Sequence, residues 1–352
     1  MSRILMSLFA CTLLFAACTK KTSENTATAP KEEQVVNLSI WGNYLSPEMQ
    51  AKFEKETGLK LNISNYSSSE ELLAKVQMGS SGIDVAVPSD YMVDIMIKMN
   101  LLEPLKAELI PNKALLSPQF LAQSYDKENK FSLPYTWTTM GIAVNRSLYK
   151  GSLKSWKELY NNSDLKGKFA LLDDVRETIG SAMIANGASV NSTNPAELAK
   201  AKATLLGAKK NVKMFTSDTV DILKNKEVVA AQAYSSDALQ AAMQNKDIEY
   251  FIPEEGGTIA IDNLVIIRGS KHPEAAHKLV NFLISQEADL NKVQVIRGGP
   301  VLKGTQEKLP QDLQANKSLF PEAKVMKKLE AIHDLGDKNK LWEELWTEIK
   351  TH

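Results

Sequence analysis

Short apolar segments typical of β-strands alternate with amphipathic helical segments along most of this 352-residue chain. The first strand-like run covers residues 35–41, and further runs follow at residues 59–66, 83–87, 169–172, 212–215, 228–233 and 248–252. Because helical segments lie between these runs, the pattern predicts an α/β fold in which mainly parallel sheet is flanked by helices.

The helical segments have recognisable first residues. Pro47 begins a helix that Gly58 ends, and Pro273 begins another. Residues 321–350 contain two further helical patterns. Side chains able to cap a helix precede three other segments, at Ser68, Asp90 and Asn194.

The amino terminus is typical of a secretory signal. Arg3 is followed by an apolar run of about 14 residues from Ile4 to Ala17, which is too short to span a bilayer. We therefore predict that residues 1–17 are a signal peptide. Residues 19–33 are polar and lack apolar periodicity, so residues 18–33 are expected to form a flexible stalk.

Ala16-Ala17-Cys18 resembles the lipobox of bacterial lipoproteins. That resemblance implies that Cys18 becomes the lipidated first residue of a protein held outside the cytoplasm by its anchor. The alternative is an ordinary secreted protein with an incidental cysteine. The other cysteine, Cys11, lies in the predicted signal peptide, so a disulfide or a cysteine metal site is not expected.

Composition excludes several classes of protein. The chain has 42 basic and 42 acidic residues, whereas nucleic-acid binding needs a concentrated basic face. It contains none of the GxSxG, HExxH, GxxxxGK[ST] or GxGxxG motifs, and His272 and His277 lack the one-turn spacing of a metal pair. We expect no cofactor and no metal. The length of the chain is sufficient for two domains.

Aromatic and acidic side chains follow several predicted strands. The aromatic residues are Trp41, Tyr44, Tyr91 and Tyr234, and the acids are Asp174, Glu177, Asp237 and Asp262. Ligands of open parallel sheets bind beyond the carboxyl ends of the strands. Aromatic faces and carboxylates together suit an organic cation, through cation–π attraction and charge-assisted hydrogen bonds.

Other interpretations of these residues remain open. Each aromatic side chain could simply pack in the core. Asp174 and Glu177 lie at a predicted helix start, where carboxylates complement the positive end of the helix. The same pair could also serve a hydrolase as proton donor and base.

A series of motifs occurs in an order that resembles the bacterial spermidine/putrescine-binding proteins, the substrate-binding subunits of polyamine ABC importers. The motifs are Trp41-Gly42-Asn43-Tyr44, Phe53-Glu54-Lys55-Glu56-Thr57-Gly58, Asp84-Val85-Ala86-Val87-Pro88-Ser89-Asp90-Tyr91, Leu133-Pro134-Tyr135-Thr136-Trp137 with Val144-Asn145, Asp173-Asp174-Val175-Arg176-Glu177, Phe215-Thr216-Ser217-Asp218, Pro253-Glu254-Glu255-Gly256-Gly257, Asp262 and Asn281-Phe282-Leu283.

The resemblance implies a two-lobed periplasmic-binding-protein fold of type II, which closes on its ligand by a hinge motion. Each lobe would be a mainly parallel sheet flanked by helices. The first lobe is expected to comprise residues 34–138 and 262–305, and the second lobe residues 141–259 and 306–352.

The resemblance also implies a role for each site residue. Trp41, Tyr44 and Tyr91 would pack the methylene chain and ammonium groups, and Tyr234 would keep an aromatic wall where the family usually has tryptophan. The main amine-anchoring aspartate would be Asp262. The other implied polar contacts are Asn43, Asp174, Glu177, Ser217 and Asp237.

The sequence departs from the family pattern at three further positions. Ala260 and Gly298 stand where the family has aromatic residues, and Thr347 corresponds to a glutamine contact. These changes would enlarge the pocket and remove cation–π contacts. The resemblance therefore implies the class of ligand rather than its identity.

The resulting hypothesis is a monomeric, lipid-anchored receptor that binds a polyamine and delivers it to an ABC importer permease. One alternative is a receptor for another organic cation or an amino-acid-like solute. A guanidinium of Arg176 aimed into the cleft would favour a carboxylate ligand. The other alternative is a cell-envelope hydrolase using Asp174 and Glu177.

Overall fold

A pair of long antiparallel strands links two groups of parallel strands in this protein. The computed structural model describes residues 34–42, 44–79 and 81–351. The predicted signal peptide, stalk and lipidated Cys18 lie outside these residues, as does Asn43.

The strands vary in length from two to fourteen residues. In chain order they are β1 (Val35–Trp41), β2 (Lys60–Tyr66), β3 (Val85–Ala86), β4 (Leu102–Glu103), β5 (Ser132–Asn145), β6 (Phe169–Leu171), β7 (Val212–Phe215), β8 (Ala230–Tyr234), β9 (Ile248–Phe251), β10 (Gly257–Ile267) and β11 (Leu329–Glu330).

Within the described residues the strands form a single sheet of order β2-β1-β3-β10-β5-β8-β6-β7, in which β4 and β11 also pair with β10 and β9 with β5. At one end β2, β1 and β3 are mutually parallel, and at the other β7, β6 and β8 are. Between these ends, β10 and β5 run antiparallel to each other, β10 also runs antiparallel to β3, and β5 to β8. The carboxyl ends of the parallel strands therefore come from both halves of the chain.

Helices flank the sheet. In chain order they are α1 (Pro47–Thr57), α2 (Ser69–Gln77), α3 (Asp90–Lys98), α4 (Trp156–Asn161), α5 (Val175–Ala185), α6 (Pro195–Lys209), α7 (Thr219–Lys224), α8 (Ser235–Gln244), α9 (Pro273–Leu283), α10 (Gln286–Asn291), α11 (Gln311–Gln314), α12 (Ala323–Met326) and α13 (Asn339–Thr351), with a π-helical turn at Lys292–Ile296.

The predicted helix starts have a clear physical basis. Side chains of Ser68 and Asn194 accept hydrogen bonds from backbone N–H groups in the first turn of α2 and α6. Gly58 ends α1 in the left-handed region, at φ 69°. Asp90 is instead the first residue of α3, and Ser89 precedes it as the cap. Of the two terminal helices expected, the first is a single turn, α12, and the second is α13.

Buried apolar side chains form two main groups along the sheet. One surrounds β1–β3 and includes Leu38, Phe53 and Leu279, and the other surrounds β6–β8 and includes Trp156 and Phe169. Strand β5 contributes to both groups, through its first half and its second half respectively. A smaller cluster joins the π-helical turn to α11.

The α/β class with a sheet flanked by helices is confirmed. The sequence did not predict β5 and β10, the antiparallel strands in the centre of the sheet. The described residues from Gln34 onward pack as one compact unit, so the lobe boundaries stay a prediction. Among the described residues, no helix combines the length and apolarity that crossing a bilayer requires.

Candidate functional site

A cavity of about 670 Å³ lies beyond the carboxyl ends of β1, β3, β6 and β8. Its position agrees with the expectation that ligands of open α/β sheets bind at these strand ends. Its lining includes nine of the predicted site residues: Trp41, Tyr44, Tyr91, Asp174, Glu177, Ser217, Tyr234, Asp237 and Asp262. The structure therefore brings together side chains from both halves of the chain.

Trp41 and Tyr66 form an aromatic wall at the ends of β1 and β2. Their ring centroids are 4.7 Å apart in an edge-to-face arrangement. Both rings are held by one backbone carbonyl, because the indole N–H of Trp41 donates to the oxygen of Val87 at 3.0 Å and the Tyr66 hydroxyl donates to it at 2.5 Å. The wall is thus fixed by the protein without a ligand.

Tyr44, Tyr91 and Tyr234 are the other aromatic residues around the cavity. The backbone oxygen of Tyr44 accepts a hydrogen bond of 2.6 Å from the hydroxyl of Tyr135, which ties this loop to β5. The hydroxyl of Tyr91 donates to Glu70 at 3.0 Å. Tyr234 is the last residue of β8 and is partly buried.

Asp262 reaches the cavity from the centre of the sheet. It lies in β10 at a register shift, where Thr136 of β5 pairs with Asp262 and Pro134 pairs with Asn263. A bulge of this kind redirects side chains and accommodates proline, which cannot donate to the ladder. The carboxyl group accepts a hydrogen bond of 2.8 Å from Ser89, and Asp262 is 3% exposed.

Asp174 and Glu177 enter the cavity from the start of α5. The carboxylate of Asp174 accepts a hydrogen bond of 2.8 Å from the backbone N–H of Glu177, so the capping interpretation is correct. Asp174 also lines the cavity, and the two roles coexist. Glu177 is buried, and its carboxylate accepts a hydrogen bond of 2.7 Å from the hydroxyl of Thr258.

Asp237 and Ser217 complete the predicted set on the side of α7 and α8. The carboxylate of Asp237 accepts a hydrogen bond of 2.6 Å from the hydroxyl of Thr219, the first residue of α7. Ser217 is exposed at the margin of the cavity.

Burial raises the pKa of four cavity acids, Asp174, Glu177, Asp237 and Asp262. The desolvated carboxyl groups of Asp262 and Asp237 have pKa values raised to about 6, and burial raises the pKa of Glu177 to about 8. Burial also raises the pKa of Asp174. In each case hydrogen bonds from neutral donors lower the pKa, but by less than desolvation raises it.

None of these acids forms an ion pair with a basic side chain of the described residues. Lys224 also lines the cavity, but its ammonium group pairs with Asp221 at 2.5 Å. The cavity is therefore a desolvated, acidic compartment that a cation would neutralise.

The guanidinium of Arg176 is committed to the protein itself. It donates to the backbone oxygens of His333 and Val190 at 2.9 and 3.2 Å, and to the side chain of Asn191 at 3.2 Å. It also lies 4.6 Å from the ring of Trp342. Although Arg176 is among the residues that line the cavity, its charge is used to bind the carboxy-terminal segment.

Sequence reasoning missed several residues of this site. Tyr66 shares the carbonyl of Val87 with Trp41, Ser89 donates to Asp262, and Asp90 lines the cavity as a buried acid. The carboxy-terminal segment contributes Ile332. The available signal was position, since Tyr66 ends β2 as Trp41 ends β1, and Ser89 and Asp90 follow the end of β3 by three and four residues.

The three departures from the family pattern differ in location. Ala260 lines the cavity two residues before Asp262. At Gly298, a Cβ atom would lie 2.3 Å from the hydroxyl oxygen of Thr136, so this close approach excludes a side chain in the present conformation. Thr347 is exposed on α13 and donates its hydroxyl to the oxygen of Glu343.

In the described part of the chain, no group of three or more His, Cys, Asp or Glu side chains is arranged to hold a metal ion. The four predicted site acids of the cavity accept hydrogen bonds from hydroxyl and backbone N–H donors instead. Their arrangement suits a ligand that donates hydrogen bonds and carries positive charge.

Comparison with known proteins agrees with this geometry. The family model described as bacterial extracellular solute-binding protein matches residues 48–342. Spermidine/putrescine-binding periplasmic protein 1 of Haemophilus influenzae is 31% identical over 336 residues, covering 94% of this chain and 92% of that protein.

Two solved structures have similar folds. The spermidine/putrescine ABC transporter substrate-binding protein PotD of Streptococcus pneumoniae superposes with a TM-score of 0.79 at 28% identity, covering 90% of this chain and 98% of that one. The TpPotD lipoprotein of Treponema pallidum also gives a TM-score of 0.79, at 25% identity, covering 90% of this chain and 99% of that one.

These matches extend over nearly the whole described chain. The prediction from the ordered motifs is confirmed. The protein belongs to the bacterial extracellular solute-binding protein family.

Proposed function

We propose that this protein is an extracytoplasmic receptor that binds a polyamine such as putrescine or spermidine and delivers it to an ABC importer. The observation that carries the proposal is a set of four cavity acids whose hydrogen-bond donors are neutral: the buried Glu177 and Asp262 and the partly buried Asp174 and Asp237. The names of the Haemophilus and Streptococcus relatives support the same class of ligand.

The chemistry of a diamine matches the cavity. Aliphatic amines have reference pKa values near 10, so putrescine carries about two positive charges at neutral pH. Each ammonium group donates up to three hydrogen bonds, and charge-assisted bonds to carboxylates are the stronger kind. Trp41, Tyr44, Tyr91 and Tyr234 would pack the methylene chain and contribute cation–π contacts.

Each residue then has an expected role. Asp262 would be the main anchor for one ammonium group, and Asp174 with Glu177 would bind another. Asp237 would add a carboxylate from the side of α8, and Ser217 a polar contact. Asn43, which lies outside the described residues, is a proposed polar contact beside Tyr44.

Closure of two lobes would strengthen these contacts. We place one lobe at residues 34–138 and 262–305, and the other at residues 141–259 and 306–352. In this arrangement the β5–β10 strand pair acts as the hinge. Exclusion of water on closure lowers the local dielectric constant, which increases the attraction between the ammonium groups and the carboxylates.

The site of action follows from the same proposal. A lipid on Cys18 would anchor the protein to a membrane through the stalk, while the binding domain stays in the aqueous phase. The name of the Treponema relative, a lipoprotein, supports this arrangement. The receptor would act as a monomer, because one chain supplies every wall of the cavity.

The alternative of an anionic or zwitterionic solute is weakened by Arg176, whose guanidinium donates to the backbone oxygens of His333 and Val190 rather than projecting free into the cavity. A hydrolase is also disfavoured. A proton donor and a base need environments that push their pKa values apart, whereas burial raises the pKa of both Asp174 and Glu177. Another organic cation remains within the proposed chemistry.

A thermal-shift screen tests the proposal. Putrescine, spermidine, cadaverine and agmatine are compared with γ-aminobutyrate and glutamate. Each compound is added at a concentration high enough to saturate the protein if it binds. Stabilisation by the amines, confirmed as one-to-one binding by calorimetry, supports a polyamine receptor. Stabilisation by the amino acids alone overturns it, and turnover of an envelope substrate that an Asp174→Asn variant loses would establish the hydrolase.

A further inference from the structure

A second cavity, of about 590 Å³, lies on the other side of the β5–β10 strand pair. Side chains of β10 alternate between the two cavities: Ala260 and Asp262 line the first, whereas Ile259 and Ile261 line the second. Trp137 of β5, which pairs with Ile261, also lines the second cavity. The two cavities therefore occupy opposite faces of the same strands, and they adjoin at Asp90, Tyr91 and Ile332, which line both.

Aromatic rings form much of the wall of the second cavity. Phe120 and Trp137 are stacked, with centroids 6.1 Å apart and an interplanar angle of 24°. The polar atoms of the larger rings are already satisfied, since the indole N–H of Trp137 donates to Pro300 and the hydroxyl of Tyr125 donates to Asn263. The rings consequently offer apolar and π surface to an occupant.

Asp90 is the carboxyl group in this wall that lacks a cationic partner among the described residues. It is 4% exposed, and its oxygens accept hydrogen bonds from the backbone N–H groups of Tyr91 at 2.9 Å and Ile261 at 3.4 Å. Burial raises the pKa of Asp90 to about 7. A buried carboxylate with neutral donors alone is stabilised when a cation joins it.

The other acids around the second cavity already share a cationic partner. Asp94 and Asp334 both lie 2.9 Å from the ammonium group of Lys98, which bridges them. His333 is the basic residue in the lining. An incoming cation would therefore find its counter-ion at Asp90, beside the aromatic rings.

We propose that the second cavity is a separate binding site for a small organic ammonium ion with an apolar body. Asp90 is the counter-ion of the ammonium group, and Phe120, Tyr125 and Trp137 pack the apolar body. An anion is excluded by the buried carboxyl group, and an inorganic cation would leave the aromatic surface without a partner.

The test uses 2-phenylethylammonium, which carries one ammonium group on an aromatic body, as the probe in calorimetry. Binding is measured for the wild-type protein and for an Asp262→Asn variant, which alters the first cavity. Saturable binding that Asp262→Asn changes by less than about threefold, and that Asp90→Asn weakens at least tenfold, is the expected result.

Because Asp90 lines both cavities, a further variant is needed that changes the second cavity alone. Ser124 is exposed and lines the second cavity alone, so Ser124→Trp should fill that cavity and weaken the probe at least tenfold. Ser152→Trp, at an exposed position outside both cavities, is the matched control and should bind the probe like the wild type.

Absence of saturable binding in the wild type would overturn the proposal. So would equal loss in Asp262→Asn and Asp90→Asn, or full binding in Ser124→Trp, because each outcome would assign the probe to the first cavity. The result is independent of the proposed function. If putrescine fails to bind at all, the affinity of the probe for the Asp90→Asn and Ser124→Trp variants still decides whether the second site exists.

Discussion

The hydroxyl of Ser89 donates a hydrogen bond of 2.8 Å to the carboxylate of Asp262, 173 positions further along the chain. The two residues also form an antiparallel backbone bridge. The loop after β3 and the bulge in β10 are thereby fixed against each other. Because the carboxylate is held before any ligand arrives, binding an ammonium group requires little rearrangement of this residue.

The first prediction concerns Asp262 itself. Replacing Asp262 with Asn keeps the shape of the side chain but removes its negative charge. We expect the affinity for putrescine to fall about 100-fold or more, because one ammonium group loses its buried counter-ion. The free energy of unfolding of the unliganded protein should not decrease, since a desolvated carboxylate is unfavourable in the empty cavity. Calorimetry and thermal unfolding measure the two effects.

Asp247→Asn is the matched control for this substitution. Asp247 is exposed between α8 and β9 and lies outside both cavities. Its variant should bind putrescine like the wild type. Unchanged affinity in Asp262→Asn would show that this carboxylate does not anchor the ligand.

Much of the site could be predicted because strand ends are local features. Trp41 and Tyr234 end strands that the sequence predicts, and Asp174 follows a third. Parallel strands bring such ends to one edge of a sheet, so pattern and topology together placed these residues in one cavity.

What the sequence could not predict depends on pairing between distant segments. Strand β5 contains Pro134 and Gly141, which weaken the signal for a strand, and its register with β10 is set by a bulge at Asp262. The direction of the Arg176 guanidinium depends on the carboxy-terminal segment, over 150 residues away. No local pattern carries that information.

The second prediction concerns the pH dependence of stability. Glu177 has an ordinary pKa of 4.5 that burial raises to about 8 in the folded protein. The folded state therefore binds more protons than the unfolded state between these values, so this contribution to stability falls as pH rises from about 4.5 to about 8. Glu177→Gln should flatten that decline in chemical unfolding experiments and make the unliganded protein more stable at pH 8. A steeper decline in the variant would contradict the assignment.

The third prediction is proton release on binding. A cation beside Glu177, Asp262 and Asp237 favours their ionised forms and lowers their pKa values from about 8, 6 and 6. At a pH near 6.5, putrescine should therefore displace protons from the cavity. Calorimetry in buffers of different ionisation enthalpy gives the number released, which should shrink at pH 9. Proton uptake instead would show that the ligand does not approach these carboxyl groups as a cation.

The fourth prediction separates the structural role of Arg176 from ligand binding. Lysine retains the charge but cannot reproduce the forked contacts to His333, Val190 and Asn191. Arg176→Lys should lower the free energy of unfolding by about 1–3 kcal/mol and leave the affinity for putrescine within about threefold. If the wild-type protein binds glutamate and this variant does not, Arg176 is instead a ligand contact.

The last prediction concerns the width of the cavity at Ala260. This residue lies on the same face of β10 as Asp262, so a larger side chain would stand beside the proposed amine anchor. Ala260→Trp should narrow the cavity, add a π-face and tighten binding of putrescine about tenfold. Ala260→Leu is the matched control, because it adds apolar volume without an aromatic ring and should give a smaller gain. Equal gains from both variants would attribute the effect to packing alone, and weaker binding in both would show that the ligand already occupies the space beside Ala260.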